Sequence, residues 1–394
     1  MTKKILSVCG CSLTDYLYTH SDFKSPEVQP LLSKENGDGG VAIGKLVFME
    51  DVQNFTGLER DPIIKAMSNG YDVSARNVGG PAIAGAINAS QILYNSDAAV
   101  DFFGLCGDDE TGQFIFDCLA TTEVKTEHYQ RSPGPTPCTC VFSDPSWHDG
   151  KGERSFVNLL GVAAADVKDF PGDDFFKGDV LWFSATALVP CIHDQLGSLL
   201  RRGKKDGKIN IVSTVFDFRS EKKSATEPWQ LGDRDSWKDM DLLIMDKDEA
   251  LRIAGKNDFD EAVQFFTTCG ISSFFITCGA KSFLAWSDGR FFSKTDGVLT
   301  LPVSALADQD MAEHPERRGD TTGCGDNFAG GIVASLLLQM EAGRNVGEFS
   351  IMESAAWGAA SGGAACFQIG SMYKESARGE KYAILERYVK AYLA

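Results

Sequence analysis

Histidine is scarce in this sequence: there are five, and they are scattered. A zinc site built on imidazole is therefore not expected. The eleven cysteines follow no regular spacing, and the close pairs Cys9/Cys11 and Cys138/Cys140 lack the two-residue gap of a zinc knuckle or redox motif. They are expected to be buried thiols in a reducing cytosol. Basic residues are outnumbered, 38 Lys and Arg against 55 Asp and Glu, and the resulting charge of −17 argues against nucleic acid or an anionic membrane as the main partner. No apolar stretch is long enough to span a bilayer. The apolar run after Lys3-Lys4 is too short for the core of a signal peptide. No repeat period appears. A true phosphate loop of the Walker type is missing too. The stretch from Gly39 to Leu46 has its spacing, but Leu46 stands where a hydroxyl must meet magnesium.

What remains is an ordinary globular composition, 43% hydrophobic and 24% charged, in a chain of 394 residues that can bury a large core. Apolar runs at Ile5–Cys9, Val100–Leu105, Val180–Phe183, Ile209–Ser213, Leu242–Met245 and Phe274–Thr277 alternate with helical or polar segments. That alternation predicts a mostly parallel sheet with both faces covered. A further strand is expected at Val41–Met49, and paired strands at Thr136–Phe142 and Arg154–Leu159. A hairpin is expected from Phe283–Trp286 through Asp288-Gly289 to Phe291-Phe292. An Ala-rich helical run opens at Asn77-Val78-Gly79-Gly80, and residues 303–318 read as an acidic, irregular insertion.

The most informative stretch is Asp320-Thr-Thr-Gly-Cys-Gly-Asp-Asn-Phe-Ala-Gly-Gly331, a glycine-punctuated turn that passes into a helix with Phe328, Ile332 and Leu336 at helical spacing. Backbone N–H groups at Gly323 and Gly325 are unshielded, and a helix N-terminus attracts phosphate oxygens. Asp326 falls at the helix mouth, where a carboxylate accepts a proton from an attacking hydroxyl. The plainer alternative is an acid that complements the helix dipole beside a close-packed turn. Asp246, Asp248 and Glu249 likewise end a strand ahead of a helix, where they either cap it or hold magnesium through water.

The turn resembles the second signature of the pfkB, or ribokinase-like, carbohydrate and nucleoside kinases, Asp-Thr-x-Gly-Ala-Gly-Asp, with Cys324 in place of the usual Ala. The resemblance extends in order along most of the chain, through Asp15 after the first strand, Gly79-Gly80, the block Gly107-Asp108-Asp109, Glu249 and Thr277-x-Gly279. It implies an α/β, ribokinase-like, doubly wound and mostly parallel sheet flanked by helices, with a small β-rich lid. The core would comprise 1–15, 76–127 and 166–394, and the lid 16–75 and 128–165. It further implies an ATP-dependent kinase acting on a hydroxyl of a sugar or sugar-like alcohol, with Mg2+. Asp326 would be the catalytic base and Gly323, Cys324 and Gly325 the anion hole. Asp15, Gly79 and Gly80 would bind the acceptor, Asp246, Thr277, Gly279 and Asp320 the nucleotide, and Glu249 the metal through water or phosphate. A cytoplasmic protein with a small-molecule partner is implied, and pairing of lids in a homodimer is compatible with it. Three departures stand out. Ile83 or Ala84 replaces a sugar-contacting Asn, Asp246 replaces another Asn, and Ser282 replaces a Gly. They keep two alternatives open, a nucleoside (adenosine-like) kinase of the same fold and a non-catalytic ligand sensor built on it.

Overall fold

The apolar runs form strands, and the strands collect into two sheets. The computed structural model describes residues 3–35, 37–319 and 321–394. The larger sheet runs β15 (Leu299–Pro302), β14 (Ser282–Ser287), β13 (Ser273–Thr277), β12 (Leu242–Asp246), β11 (Ile209–Ser213), β10 (Val180–Ser184), β1 (Ile5–Gly10), β5 (Ala99–Gly107), β6 (Val124–Lys125), and β7 (Tyr129–Ser132) also pairs with β5. It is parallel from β13 across to β6, while β14 and β15 add antiparallel strands at one edge.

Strict alternation along these strands feeds two cores at once, because successive side chains leave opposite faces. Leu6 and Val8, Val180 and Trp182, Leu242 and Ile244 point to one face, where they meet helices α1 (Pro81–Ile92), α5 (Cys324–Glu341), α6 (Ile351–Ala365) and α7 (Glu380–Leu393). Leu181, Phe183, Leu243 and Met245 point to the other, toward helix α3 (Lys247–Ala254) and the helices Leu196–Lys205 and Phe259–Phe266. A sheet buried on both faces has no polar side to show, and that is why these strands read as continuous apolar runs. Helix α5 is buried all round from Asn327 to Leu337, as a helix lacking a polar stripe must be.

The smaller sheet has the order β3 (Leu46–Phe48), β9 (Glu153–Leu159), β8 (Cys138–Asp144), β2 (Leu13–Tyr18), β4 (Ala75–Gly79). One face, through Tyr18, Cys140, Phe142 and Val157, packs on its own cluster with Phe23, Met49, Val52, Ile63 and Met67. The other face is turned to a cavity.

Several elements differ from expectation. The strand expected over Val41–Met49 shrinks to Leu46–Phe48, because Met49 starts a helix whose first turn carries Glu50 and Asp51, acids that favour a helix N-terminus. The helical run expected from Asn77 is a strand as far as Gly79, and the helix starts at Pro81, where a missing N–H costs nothing. The expected hairpin is not made by Phe291 and Phe292, which are fully buried in the core; β14 pairs instead with β13 and β15. The irregular insertion contains a helix, α4 (Ala305–Glu313), capped by the Ser304 side chain. Helix α2 (Glu110–Leu119) is capped by Asp109, whose carboxylate accepts from the Gly112 N–H at 2.8 Å. Among the described residues no helix is long and apolar enough to cross a membrane. None of the eleven cysteines is in a disulfide.

Phe275 lies fully buried on β13 of the larger sheet, its ring against Phe283, Phe292 and Phe328. Phe275→Ala is expected to destabilise the fold by about 3–5 kcal/mol through lost burial and the cavity left behind. A urea unfolding midpoint close to that of the parent chain would contradict this packing.

Candidate active site

The pairing register of the small sheet decides what its cavity face presents. Asp15 lies opposite Asn77 on one side and Thr139 on the other, and Thr139 lies opposite Asn158. Asn77, Asp15, Thr139 and Asn158 therefore form one polar row across β4, β2, β8 and β9. Two residues along, Leu17, Val141, Phe156 and Leu46 form a parallel apolar row. Both rows, with Arg154, Gly80, Pro81, Leu188 and Thr322, line a cavity of about 190 Å³. Within the polar row the Asn158 side chain donates to the Thr139 hydroxyl at 2.9 Å. Asn158 Oδ1 and Asn77 Nδ2 are buried with no protein partner among the described residues. Gly79 does not line this cavity but packs beneath it: a Cβ there would come within 2.3 Å of Asp15 Oδ2.

Pro81 also lines a second cavity, of about 180 Å³, so the two adjoin. This one is bounded by Asp326, Gly325, Asp246, Glu249, Thr277, Thr214, Ser213 and Ser184. Helix α5 opens here. Its N-cap, Gly323, has φ +77°, and a Cβ at that position would lie 2.4 Å from the Ser371 side chain. Both the left-handed backbone and the close approach demand glycine. A Cβ on Gly325 would meet nothing within 4 Å, so that residue faces open space. The first-turn N–H groups of a helix have no acceptor within it. Of these, the Cys324 N–H turns to the Thr321 carbonyl at 3.3 Å.

Asp326 is half-buried at the floor of this cavity, and burial pushes its carboxyl up to about 6. Glu249, nearly inaccessible, is pushed up to about 7 by burial and then by the charges of Asp246 and Asp326. Burial also raises Asp246, against the stabilising N–H of Glu249. Asp246 and Glu249 cap helix α3 reciprocally: Asp246 accepts from the Glu249 N–H at 2.7 Å, and Glu249 from the Asp246 N–H at 2.9 Å and the Thr214 hydroxyl at 2.6 Å. Capping and carboxylate clustering thus coexist at one helix start. No ion pair between these acids and a Lys or Arg occurs among the described residues. No group of three metal-ligating side chains is close enough to bind an ion directly among them either. A donor set of clustered carboxylates without a balancing cation fits a hydrated divalent ion held through water.

The fold thus brings Asp326, Gly325, Asp246, Glu249 and Thr277 to one cavity and Asp15 and Gly80 to the next. Gly323 and Cys324 form the turn behind the second cavity, where Cys324 Sγ lies 3.4 Å from Cys366 Sγ. Gly279 sits in the turn between β13 and β14, outside both linings. Asp320 lies outside the described residues. Asn88, the Asn next along the chain from Ile83 and Ala84, does not line the first cavity: it is buried and donates to the Asn327 carbonyl at 3.0 Å. Asp217 caps the helix Phe218–Lys223, and Arg219 pairs with Asp194 at 2.8 Å. Asn77, Thr139, Arg154 and Asn158 had no motif to mark them; the period-2 alternation of their strands was the only available signal.

A family model described as pfkB family carbohydrate kinase matches residues 74–378. No curated protein matches the sequence significantly. Among solved structures the chain is similar to a ribokinase from Thermotoga maritima, at 14% identity and TM-score 0.62 over 98% of this chain and 99% of that one. It is also similar to an adenosine kinase from Schistosoma mansoni in complex with 2-fluoroadenosine, at 14% identity and TM-score 0.66 over 94% and 97%. A third likeness is to a ribokinase from Arabidopsis thaliana complexed with ribose and ATP, at 15% identity and TM-score 0.61 over 99% of each chain. At such identities the likeness shows the fold, which is that of the ribokinases.

A carboxyl whose folded-state affinity for protons exceeds its unfolded one costs stability when ionised. Asp326 rises from 3.8 to about 6, so the folded state binds more protons between those values and stability falls as pH rises through that window. Asp326→Asn is expected to stabilise the protein above pH 6, on the order of 1 kcal/mol once solvent in the cavity is allowed for. The difference should close as pH falls toward 4. Denaturation midpoints measured from pH 4 to 8 check this; a variant less stable at pH 8 would refute it.

Proposed function

The chain belongs to the pfkB family of carbohydrate kinases, and from that premise we propose that it transfers the γ-phosphoryl group of ATP to a hydroxyl of a sugar or sugar-like alcohol. One observation carries this assignment. Asp326 stands at the mouth of a buried helix, opens with Gly325 into one cavity, and has its carboxyl pushed up to about 6. A base of that strength is ionised at neutral pH yet holds a proton well enough to take one from a hydroxyl.

In this scheme the acceptor lies in the first cavity, with its hydroxyls on the polar row. Asn158 Oδ1 and Asn77 Nδ2 are buried polar atoms of the kind that a polyol satisfies. The reacting hydroxyl reaches past Pro81 toward Asp326, which accepts its proton as the new O–P bond forms. The helix mouth at Gly325 receives the charge spread over the transferring group. Asp246 and Glu249 would hold Mg2+ through water, and that ion supplies neutralisation of phosphate charge. The small sheet acts as a lid that keeps water from the phosphoryl group. It takes in β2 and β4 as well as segments 16–75 and 128–165. Its outer face is covered by this chain's own residues, so the scheme requires no second subunit. We place the protein in the cytoplasm.

A second acceptor class is favoured by the apolar row. Leu17, Val141, Phe156 and Leu46 lie two residues along from the polar row, about 7 Å away at the rise of a strand. That spacing suits a nucleoside, with ribose on the polar row and base on the apolar one.

Asp326→Asn is expected to lower kcat by about 10²–10⁴-fold while ATP binding persists. In the parent protein kcat should fall as pH drops through about 6. ATP consumption across a panel of sugars and nucleosides, parent against variant, tests both points. Consumption with no acceptor in the panel, or near-parental kcat in the variant, would overturn the assignment.

A further inference from the structure

Lysine is rarely buried, because its ammonium loses several kcal/mol of hydration unless a partner compensates. Lys381 is 1% exposed. It lies in the first turn of α7, which begins at Glu380 after the N-cap Gly379, where the helix dipole also disfavours a cation. Neither location rewards a positive charge. A methionine of similar length would fill the same space at lower cost.

The contacts of the ammonium lead to the anion-binding turn. Lys381 Nζ donates to Asn327 Oδ1 at 3.4 Å and lies 4.9 Å from the centre of the Tyr373 ring. Asn327 Nδ2 donates in turn to the carbonyls of Gly323 and Ser371, each at 2.9 Å. An ammonium only donates, so it requires the amide oxygen to face it, and the amide nitrogen is then directed at the two carbonyls. Reversed, the amide would set its oxygen against both carbonyls and its NH2 against the ammonium. The Lys381 ammonium and the two carbonyls thus favour the same one of two amide orientations that are nearly equal in shape, and the ammonium reinforces it. The Gly323 carbonyl, which also accepts the Asn327 N–H at 2.8 Å, fixes the plane of the Gly323–Cys324 peptide. The Ser371 hydroxyl donates to the Val78 carbonyl at 2.7 Å, next to the strand residue Asn77 of the acceptor row.

We propose that Lys381 is a positioning residue for phosphoryl transfer: its ammonium supports the Asn327 amide, which braces the Gly323–Cys324 peptide behind the cavity and so holds the first turn of α5 with Gly325 open to the transferring group. The inference rests on the kinase assignment made above. A pH signature accompanies it. Burial lowers the Lys381 ammonium to about 8, against smaller opposing effects from Glu375 and Cys324. The groups facing it are Glu375 and Tyr373 from the segment before α7 and Cys324 and Asn327 from α5. α1 carries no charged residue. Above about pH 8 the ammonium gives way to a neutral amine, a weaker donor to the Asn327 oxygen.

The test uses the full chain with Lys381→Met, Lys381→Arg and Asp326→Asn. Three quantities are measured: amide hydrogen exchange of residues 321–327, the urea midpoint, and ATP turnover with D-ribose and with adenosine. In Lys381→Met the midpoint is expected to hold or rise, while exchange of the turn quickens by about threefold or more. Its kcat should fall about tenfold or more, with KM for the acceptor little changed. Lys381→Arg should restore both, and the alkaline fall in kcat near pH 8 in the parent should move to higher pH. Unchanged exchange in the turn overturns the proposal. So does a lowered midpoint with exchange raised throughout, the mark of a purely structural lysine. If Lys381→Met does not fold, an alkaline limb that stays in place in Lys381→Arg overturns it. If the parent turns over neither acceptor, or Asp326→Asn stays active, while the turn responds to Lys381→Met as expected, the kinase assignment falls and the anchoring role stands.

Discussion

A helix buried on all sides leaves its N-terminal donors nowhere to go except into a cavity or into capping partners. Helix α5 is such a helix, and its first turn opens where two cavities meet. The left-handed Gly323 lets the chain enter at the angle required, and the Ser371 side chain leaves no room for any larger residue. Everything around the site serves that one turn. Asn88 of α1 and Ser371 brace it through Asn327, and α6 packs along its length. Removing water from this turn makes its N–H donors effective for an anion. It also lifts the Asp326 carboxyl to about 6.

The same desolvation explains the uneasy electrostatics nearby. Asp246, Glu249 and Asp326 raise one another's proton affinity or are raised by burial, and no basic side chain relieves them among the described residues. A chain selected for stability alone would neutralise such a cluster. A carboxylate cluster that costs stability is the kind of place where proteins keep chemistry. The reciprocal capping by Asp246 and Glu249 shows that capping and function need not exclude each other, since one carboxylate oxygen can cap while the site as a whole stays anionic.

The two cavities rest on different elements. The first is a property of sheet register, with polar and apolar rows running across four strands, whereas the second is a property of one helix start. The Ser371 hydroxyl on the Val78 carbonyl joins the two.

The sequence alone determined the strand–helix alternation, the two-sided burial of the large sheet and the turn ahead of α5. Each is written locally, as apolar runs, glycine positions and a carboxylate at a fixed offset. It did not determine the helix within 303–318, the fate of Phe291-Phe292 or the extent of the strand near Val41, because those depend on what the segments pack against. Nor did it reveal Asn77, Thr139, Asn158, Asn327 or Lys381. The first three become neighbours only through the pairing register of separate strands. Lys381 meets Asn327 only because the last helix folds back against α5, 54 positions from its partner. Local chemistry places a loop and a carboxylate. Long-range packing decides which distant side chains hold them, since contacts between remote segments leave no periodic trace in either segment.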